Sequence, residues 1–233
     1  DLDGILDLAR ESAPIRYAPV PVRRFERQAR IAVAMDRAFC FYYRDNLELL
    51  REMGATLCPF SPLSNAALPA CDALYLGGGY PELYLDALSE NASMRTHIRM
   101  ALANGMPCIA ECGGFMYLTG AIEGHPMVGA LPGDCTNQGR LTRFGYIALT
   151  AKHNSLLCNA GERINAHEFH HYGATHLGNG FEARKSNGAA WDCGFATERL
   201  YAGYPHLAFY ANPRFAERFY EAALAYQSEN KEG

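Results

Sequence analysis

The sequence predicts an α/β fold: an open, mostly parallel β-sheet with helices on both faces, plus extra β strands in the C-terminal half. Two observations carry this expectation. Between residues 30 and 118, apolar runs of strand length alternate with helical stretches, the pattern of a parallel sheet covered on both sides. After residue 118 the helical periodicity stops, and short β-type runs take over until a final helix. A chain of 233 residues that is 49% hydrophobic can bury one substantial core or two small ones.

The elements follow in order. Residues 1–9 read as the end of a helix, after which Pro14, Pro19 and Pro21 punctuate a linker. The chain opens on Asp1 rather than methionine, so residues 1–28 are expected to be the end of a preceding domain with its linker, and 29–233 the main domain. Residues 30–35 form a β-rich apolar run. Residues 45–53 form a leucine-bearing helix closed by Gly54, with Asp45-Asn46-Leu47-Glu48 in the form of a capping box. Strands are expected at 56–60 and 72–76, then helices up to Asn104-Gly105, then an apolar strand at 107–110. Beyond residue 118, β-type runs cover 146–150, 164–172, 196–200 and 207–210. A last helix starts near Pro213, a good first-turn residue, and ends near Tyr226, leaving 228–233 as a polar tail.

Bulk properties narrow the function. A net charge of −4 gives no nucleic-acid footprint. No apolar run approaches the roughly 18 residues that a membrane span needs, and no signal peptide opens the chain. The eight cysteines are scattered and none forms a CxxC pair, so they read as reduced thiols in a cytoplasmic protein.

The most informative stretch is Pro107-Cys108-Ile109-Ala110-Glu111-Cys112-Gly113-Gly114-Phe115-Met116. It reads as a short strand, one sharp turn carrying a cysteine, and the opening of a helix. Glycines there permit the tight turn and leave N–H groups free at the helix start. A thiol in that position feels the positive end of the helix dipole, which favours the thiolate. Cys108, inside the strand, suits a core cysteine; Cys112, at its end, suits a nucleophile elbow. Leu76-Gly77-Gly78-Gly79-Tyr80-Pro81-Glu82 follows another strand. It is either a flexible turn or a set of N–H groups aimed at a developing oxyanion, joined by the Gly113 N–H. Both loops leave parallel strands at the same end of the sheet, where α/β sheets place their sites.

A cysteine nucleophile needs a base that is often distant in sequence. His206 is one of eight histidines, and spacing alone does not choose among them. His167-Glu168-Phe169-His170-His171 matches the zinc-protease pattern HExxH, which works only on a helix. Flanking Gly161 and Gly173 and the β-type composition predict a strand instead, with His167, Phe169 and His171 on one face and Glu168 and His170 on the other. No metal is expected here. No GxxxxGK[ST] phosphate loop occurs in the chain.

Phe39–Tyr43 with Asn46-Leu47, Phe60-Ser61-Pro62-Leu63, Leu76–Glu82, Glu111–Leu118, His167–His170 and Tyr204–Phe209 together resemble the C-terminal glutamine amidotransferase domain, of the class I (triad) type, of the cobyrinic acid a,c-diamide synthase family. The resemblance runs from about residue 30 over nearly all of the chain. It implies a flavodoxin-like fold and hydrolysis of glutamine to glutamate and ammonia. Cys112 would be the nucleophile and His206 the base. Gly78, Gly79, Tyr80 and Gly113 would hold glutamine and its oxyanion. It also implies an N-terminal ATP-binding synthetase domain as partner, with ATP and Mg²⁺ held there, no cofactor on this chain, and a corrinoid as the amidated substrate. Class I members usually carry a glutamate two residues after the histidine. This chain has Ala208 there, and Glu168 and Asp45 are the acids offered for the orienting role. The same resemblance admits amidation of another tetrapyrrole, such as nickel-sirohydrochlorin, or of a cell-wall precursor. A reading from a different class is a cysteine-bearing redox or binding module, which predicts a peroxide-sensitive Cys112 and no glutamine turnover.

Overall fold

Ile31, Ala32, Val33 and Ala34 are all buried, on both sides of one strand, and such a strand is stable only at the centre of a sheet with helices on each face. A computed structural model, which describes residues 1–230, shows that arrangement. Helix α1 (Leu2–Glu11) is followed by β1 (Arg30–Ala34), α2 (Arg44–Met53), β2 (Thr56–Phe60), β3 (Ala73–Leu76), α3 (Leu85–Glu90), α4 (Ala92–Ala103), β4 (Cys108–Glu111) and α5 (Gly113–Leu118). The C-terminal half adds β5 (Ala121–Ile122), β6 (His125–Pro126), β7 (Asp134–Asn137), β8 (Arg143–Ala151), β9 (Arg163–His170), β10 (Tyr172–Ala174), β11 (Phe181–Arg184) and β12 (Ala190–Cys193). It closes with β13 (Phe195–Ala196), β14 (Leu200–Gly203), β15 (His206–Leu207) and α6 (Arg214–Glu229).

Six strands form the main sheet in the order β13-β14-β4-β3-β1-β2, parallel except for the edge strand β13. Alternate side chains feed two cores. Ile31, Val33, Tyr75, Ile109 and Tyr201 pack with α2 and α6 on one face. Ala32, Leu74, Leu76 and Ala110 pack with α4 and α5 on the other. A five-stranded antiparallel sheet, β12-β11-β8-β9-β15, lays Ile147, Leu149, Ile164, Ala166 and Phe181 against the first core. A four-stranded sheet, β10-β7-β5-β6, flanks α5.

Several expectations need correction. The predicted strand 196–200 is the hairpin β13–β14, because Thr197 N–H bonds back to the Leu200 carbonyl at 2.8 Å and reverses the chain. The predicted strand 207–210 stops after Leu207. The Asn46 amide donates to the Leu207 carbonyl at 2.7 Å and its oxygen accepts the Phe209 N–H at 2.9 Å, turning the chain into a 3₁₀ turn over Phe209–Ala211. Asp45 caps nothing: α2 starts one residue earlier, and the Asp45 carboxylate accepts the N–H of Asn46 inside the first turn. Ser228 and Glu229 belong to α6 rather than to a tail, fixed by bonds from Arg27 and Arg199; residues 231–233 lie outside the described residues. All eight cysteines are free thiols. No helix among the described residues is long and apolar enough to cross a membrane.

Candidate active site

The turn after β4 is strained in the way the sequence required. Cys112 has φ +50° and ψ −106°, a conformation that a side chain adopts only when its surroundings enforce it. Three backbone bonds do so. Cys112 N–H donates to the Gly203 carbonyl at 2.8 Å, Gly114 N–H to Gly77 at 2.9 Å, and Met116 N–H to Cys112 at 2.9 Å. The thiol is thereby held at the head of α5. Cys108 lies in the core, where burial pushes its thiol pKa up.

The glycine loop is pinned beside this elbow. Gly78 and Phe41 exchange both backbone hydrogen bonds at 3.0 Å, and the Gly77 N–H donates to the Tyr42 hydroxyl at 2.9 Å. All three of its glycines are sterically required, and a Cβ on Gly77 would strike the Tyr42 ring. A Cβ on Gly78 would stand 2.5 Å from Cε1 of His206, and one on Gly79 would strike the Ala38 carbonyl. Gly79 N lies 3.1 Å from where a Cβ of Gly113 would be, so the two backbones approach closely. Among the described residues, neither N–H is given to a protein acceptor, which leaves both for an oxyanion.

His206 arrives from the other sheet. β15 pairs antiparallel with β9, with His206 opposite His167, and this register brings the imidazole to the elbow. Phe41 packs against the ring at 4.7 Å and Tyr43 at 6.3 Å. Burial by itself lowers the His206 pKa, but the Cys112 thiol and the Glu111 carboxylate beside the ring outweigh it and hold the group at about 10. The imidazolium is therefore favoured next to the thiol. Cys112, His206, Gly79 and Tyr80 line one cavity of about 160 Å³ together with Phe41, His167 and Phe169. Gly78 backs the histidine and Gly113 adjoins Gly79, so the residues singled out for catalysis and glutamine binding come together.

The acids offered for orienting His206 do not reach it. Asp45 bonds to its own helix. Glu168 is on the far face of β9, 3.9 Å from Arg143, and lines a separate buried cavity of about 80 Å³ with His170 and Trp191. Burial pushes the Glu168 carboxyl up to about 7 despite Arg143, and pulls His170 down to about 4. The carboxylate beside His206 is that of Glu111, with Oε2 3.8 Å from Nδ1. Its signal was present in the sequence: an acid inside an otherwise apolar strand must find buried partners. His167–His170 are extended as expected, with Glu168 and His170 buried and His167 and Phe169 facing the cavity, but the expected strand over 164–172 is broken by a bend at His171 before β10.

With this geometry in hand, the comparisons decide the family. Residues 30–214 match the model of the CobB/CobQ-like glutamine amidotransferase domain. The chain belongs to that family. A cobyrinate a,c-diamide synthase of Fusobacterium nucleatum is 42% identical over 200 residues, 82% of this chain and 44% of that protein. One of Clostridium acetobutylicum is 44% identical over 192 residues, 80% of this chain and 44% of that protein. This CobB/CobQ-like chain thus spans about half the length of the curated relatives it matches. Among solved structures it is similar in fold to PurLQS from Thermotoga maritima (TM-score 0.58, 17% identity, 85% of this chain and 98% of that one). It is similar also to a glutamine amidotransferase (TM-score 0.55, 19% identity, 83% and 98%). The flavodoxin-like expectation holds.

Proposed function

We propose that this amidotransferase domain hydrolyses glutamine through Cys112 and His206 and supplies the ammonia for amidation of corrinoid carboxylates, as the names of its relatives indicate. The observation that carries the reading is the meeting, in one cavity, of a strained elbow thiol with an imidazole held charged beside it. The Cys112 thiolate attacks the carboxamide carbon, forming a C–S bond and an oxyanion that the Gly79 and Gly113 N–H groups receive. His206 gives its proton to the departing nitrogen, and ammonia leaves a glutamyl thioester. His206 then takes a proton from water, the hydroxide adds to the thioester, and glutamate departs as the thiolate is restored. Residues 29–233 constitute this domain. Residues 1–28 are the end of a preceding ATP-binding synthetase region and its linker. ATP and Mg²⁺ act in that region, and the whole works in the cytoplasm; that the chain spans about half the length of its relatives supports such a partner.

A diazo-ketone analogue of glutamine tests the reading, because it alkylates only a thiolate that sits in a glutamine site. The expected result is one adduct per chain, at Cys112, suppressed by glutamine and absent from Cys112→Ala. Labelling that glutamine does not suppress, or that falls on another cysteine, would overturn it.

A further inference from the structure

Glu111 has three neighbours and only one of them is reactive. Its Oε1 accepts the Leu207 N–H at 2.9 Å, its Oε2 accepts the Tyr75 hydroxyl at 3.0 Å, and the same Oε2 faces Nδ1 of His206 at 3.8 Å. The side chain is buried. A buried carboxylate is costly unless donors and positive charge surround it, and these three groups provide both. Strand register explains why they converge. β4 and β14 pair with Glu111 opposite Gly203, and Gly203 is three residues before His206. The Cys112 N–H bonds to that same Gly203. One carboxylate therefore grips the backbone just after the histidine while its own chain neighbour is the thiol.

We propose that Glu111 is the positioning residue of this site: it fixes the ring of His206 through Nδ1 and the histidine's strand through the Leu207 N–H, replacing an acid two residues after the histidine, where Ala208 stands. This rests on the assignment of Cys112 and His206 made above. With Nδ1 turned to Glu111, Nε2 is the nitrogen left for the thiol, the tautomer that a base in this place needs. The distance of 3.8 Å is an ion-pair distance, and catalytic contacts in sites without substrate are commonly longer than hydrogen bonds. The other titratable groups around the ring are Cys112 at the elbow, Tyr43 before α2 and His167 across the strand pair, with Glu168 and His170 behind β9. None of these is an acid that faces Nδ1.

The test is Glu111→Gln, with Tyr75→Phe as its control. Glutamine keeps a carbonyl for Leu207 and a group that bonds the Tyr75 hydroxyl, so it removes the charge and spares the packing. Tyr75→Phe removes a contact of Glu111 and leaves the charge facing His206. The readout is the rate at which iodoacetamide alkylates Cys112 across pH, alongside glutamine-analogue labelling. Glu111→Gln should lower alkylation at pH 7 by about tenfold or more, with the rate recovering at alkaline pH as the thiol ionises unaided. Tyr75→Phe should leave the profile within about twofold. A folded Glu111→Gln protein with an unchanged profile would overturn the proposal. If wild type itself takes no glutamine analogue, the glutaminase reading fails instead. Should Glu111→Gln not fold, proton and ¹⁵N spectra of His206 in the unaltered protein decide: an Nδ1–H resonance shifted far downfield, the mark of a hydrogen bond to a carboxylate, supports the role, and an Nδ1–H at the position of a free imidazolium refutes it.

Discussion

Replacing Gly78 by alanine is a sharp perturbation of this site, because the structure fixes what the added methyl meets. The new Cβ would stand 2.5 Å from Cε1 of His206 and 3.4 Å from each ring nitrogen. Carbon atoms rest at about 3.5–4.0 Å, so the ring and the loop must part by about 1 Å. The loop has little freedom to yield, since Gly78 is tied to Phe41 by two backbone bonds of 3.0 Å. The ring is therefore displaced. A 1 Å misplacement of a reacting group costs on the order of 10²-fold in rate, or about 2.7 kcal/mol at 1.36 kcal/mol per decade. Overpacking should cost about 1–3 kcal/mol of stability as well, which a denaturant titration separates from the catalytic loss. The assay is glutamate release in the complete synthase, with the rate of Cys112 labelling by the glutamine analogue as a second measure. A folded Gly78→Ala protein that keeps either rate within threefold of wild type would refute the reasoning that His206 must stand where it does.

Three further outcomes are expected. Cys112→Ser in the complete synthase should lower glutamine-dependent amidation by about 10³-fold or more while ammonia-dependent amidation persists, since free ammonia bypasses the thiol; parallel loss of both would deny Cys112 its role. Glu168 has a carboxyl raised by burial to about 7, above its ordinary value, so its neutral form is the one the fold favours. That contribution is complete below the unfolded value near 4.5 and fades as pH rises through 7. Glu168→Gln should therefore stabilise the protein at pH 8, by on the order of 2–3 kcal/mol, and change little at pH 4; equal melting shifts at both would contradict this. Helix α1 has no buried residue, so deleting residues 1–11 should leave the melting temperature within about 2 °C. A larger drop would mean that α1 packs on the domain.

The parallel core was legible because its strands are apolar on both faces: the run at Ile31–Ala34 admits no other placement, and the elbow at Cys112 follows from strand, cysteine and paired glycines. Local chemistry wrote those features, so local reading recovered them. The partner of Cys112 was not legible from spacing, because His206 reaches the elbow through the pairing of β15 with β9, a contact some forty residues long in sequence. The resemblance supplied it. The carboxylate nearest His206 is not legible from composition either, because Glu111 lies inside the apolar strand β4 and nothing local says what it faces. Only the register of β4 against β14 shows that Glu111 turns toward the histidine. The turns at Thr197 and Phe209 escaped because side-chain and backbone bonds from elsewhere break what composition alone would extend.

Cys112 and His206 ride on different sheets: Cys112 follows β4 of the six-stranded sheet, and His206 lies in β15 of the five-stranded one. The Glu111 carboxylate is a rivet across that seam, holding the Leu207 N–H from the side of the elbow. The outer surface of the smaller sheet carries Phe144, Tyr146 and Phe169, exposed aromatic rings clustered around His167, which itself faces the cavity. Cys112 and His206 therefore meet only while the two sheets keep their seam, and the Glu111–Leu207 bond is a contact that spans it.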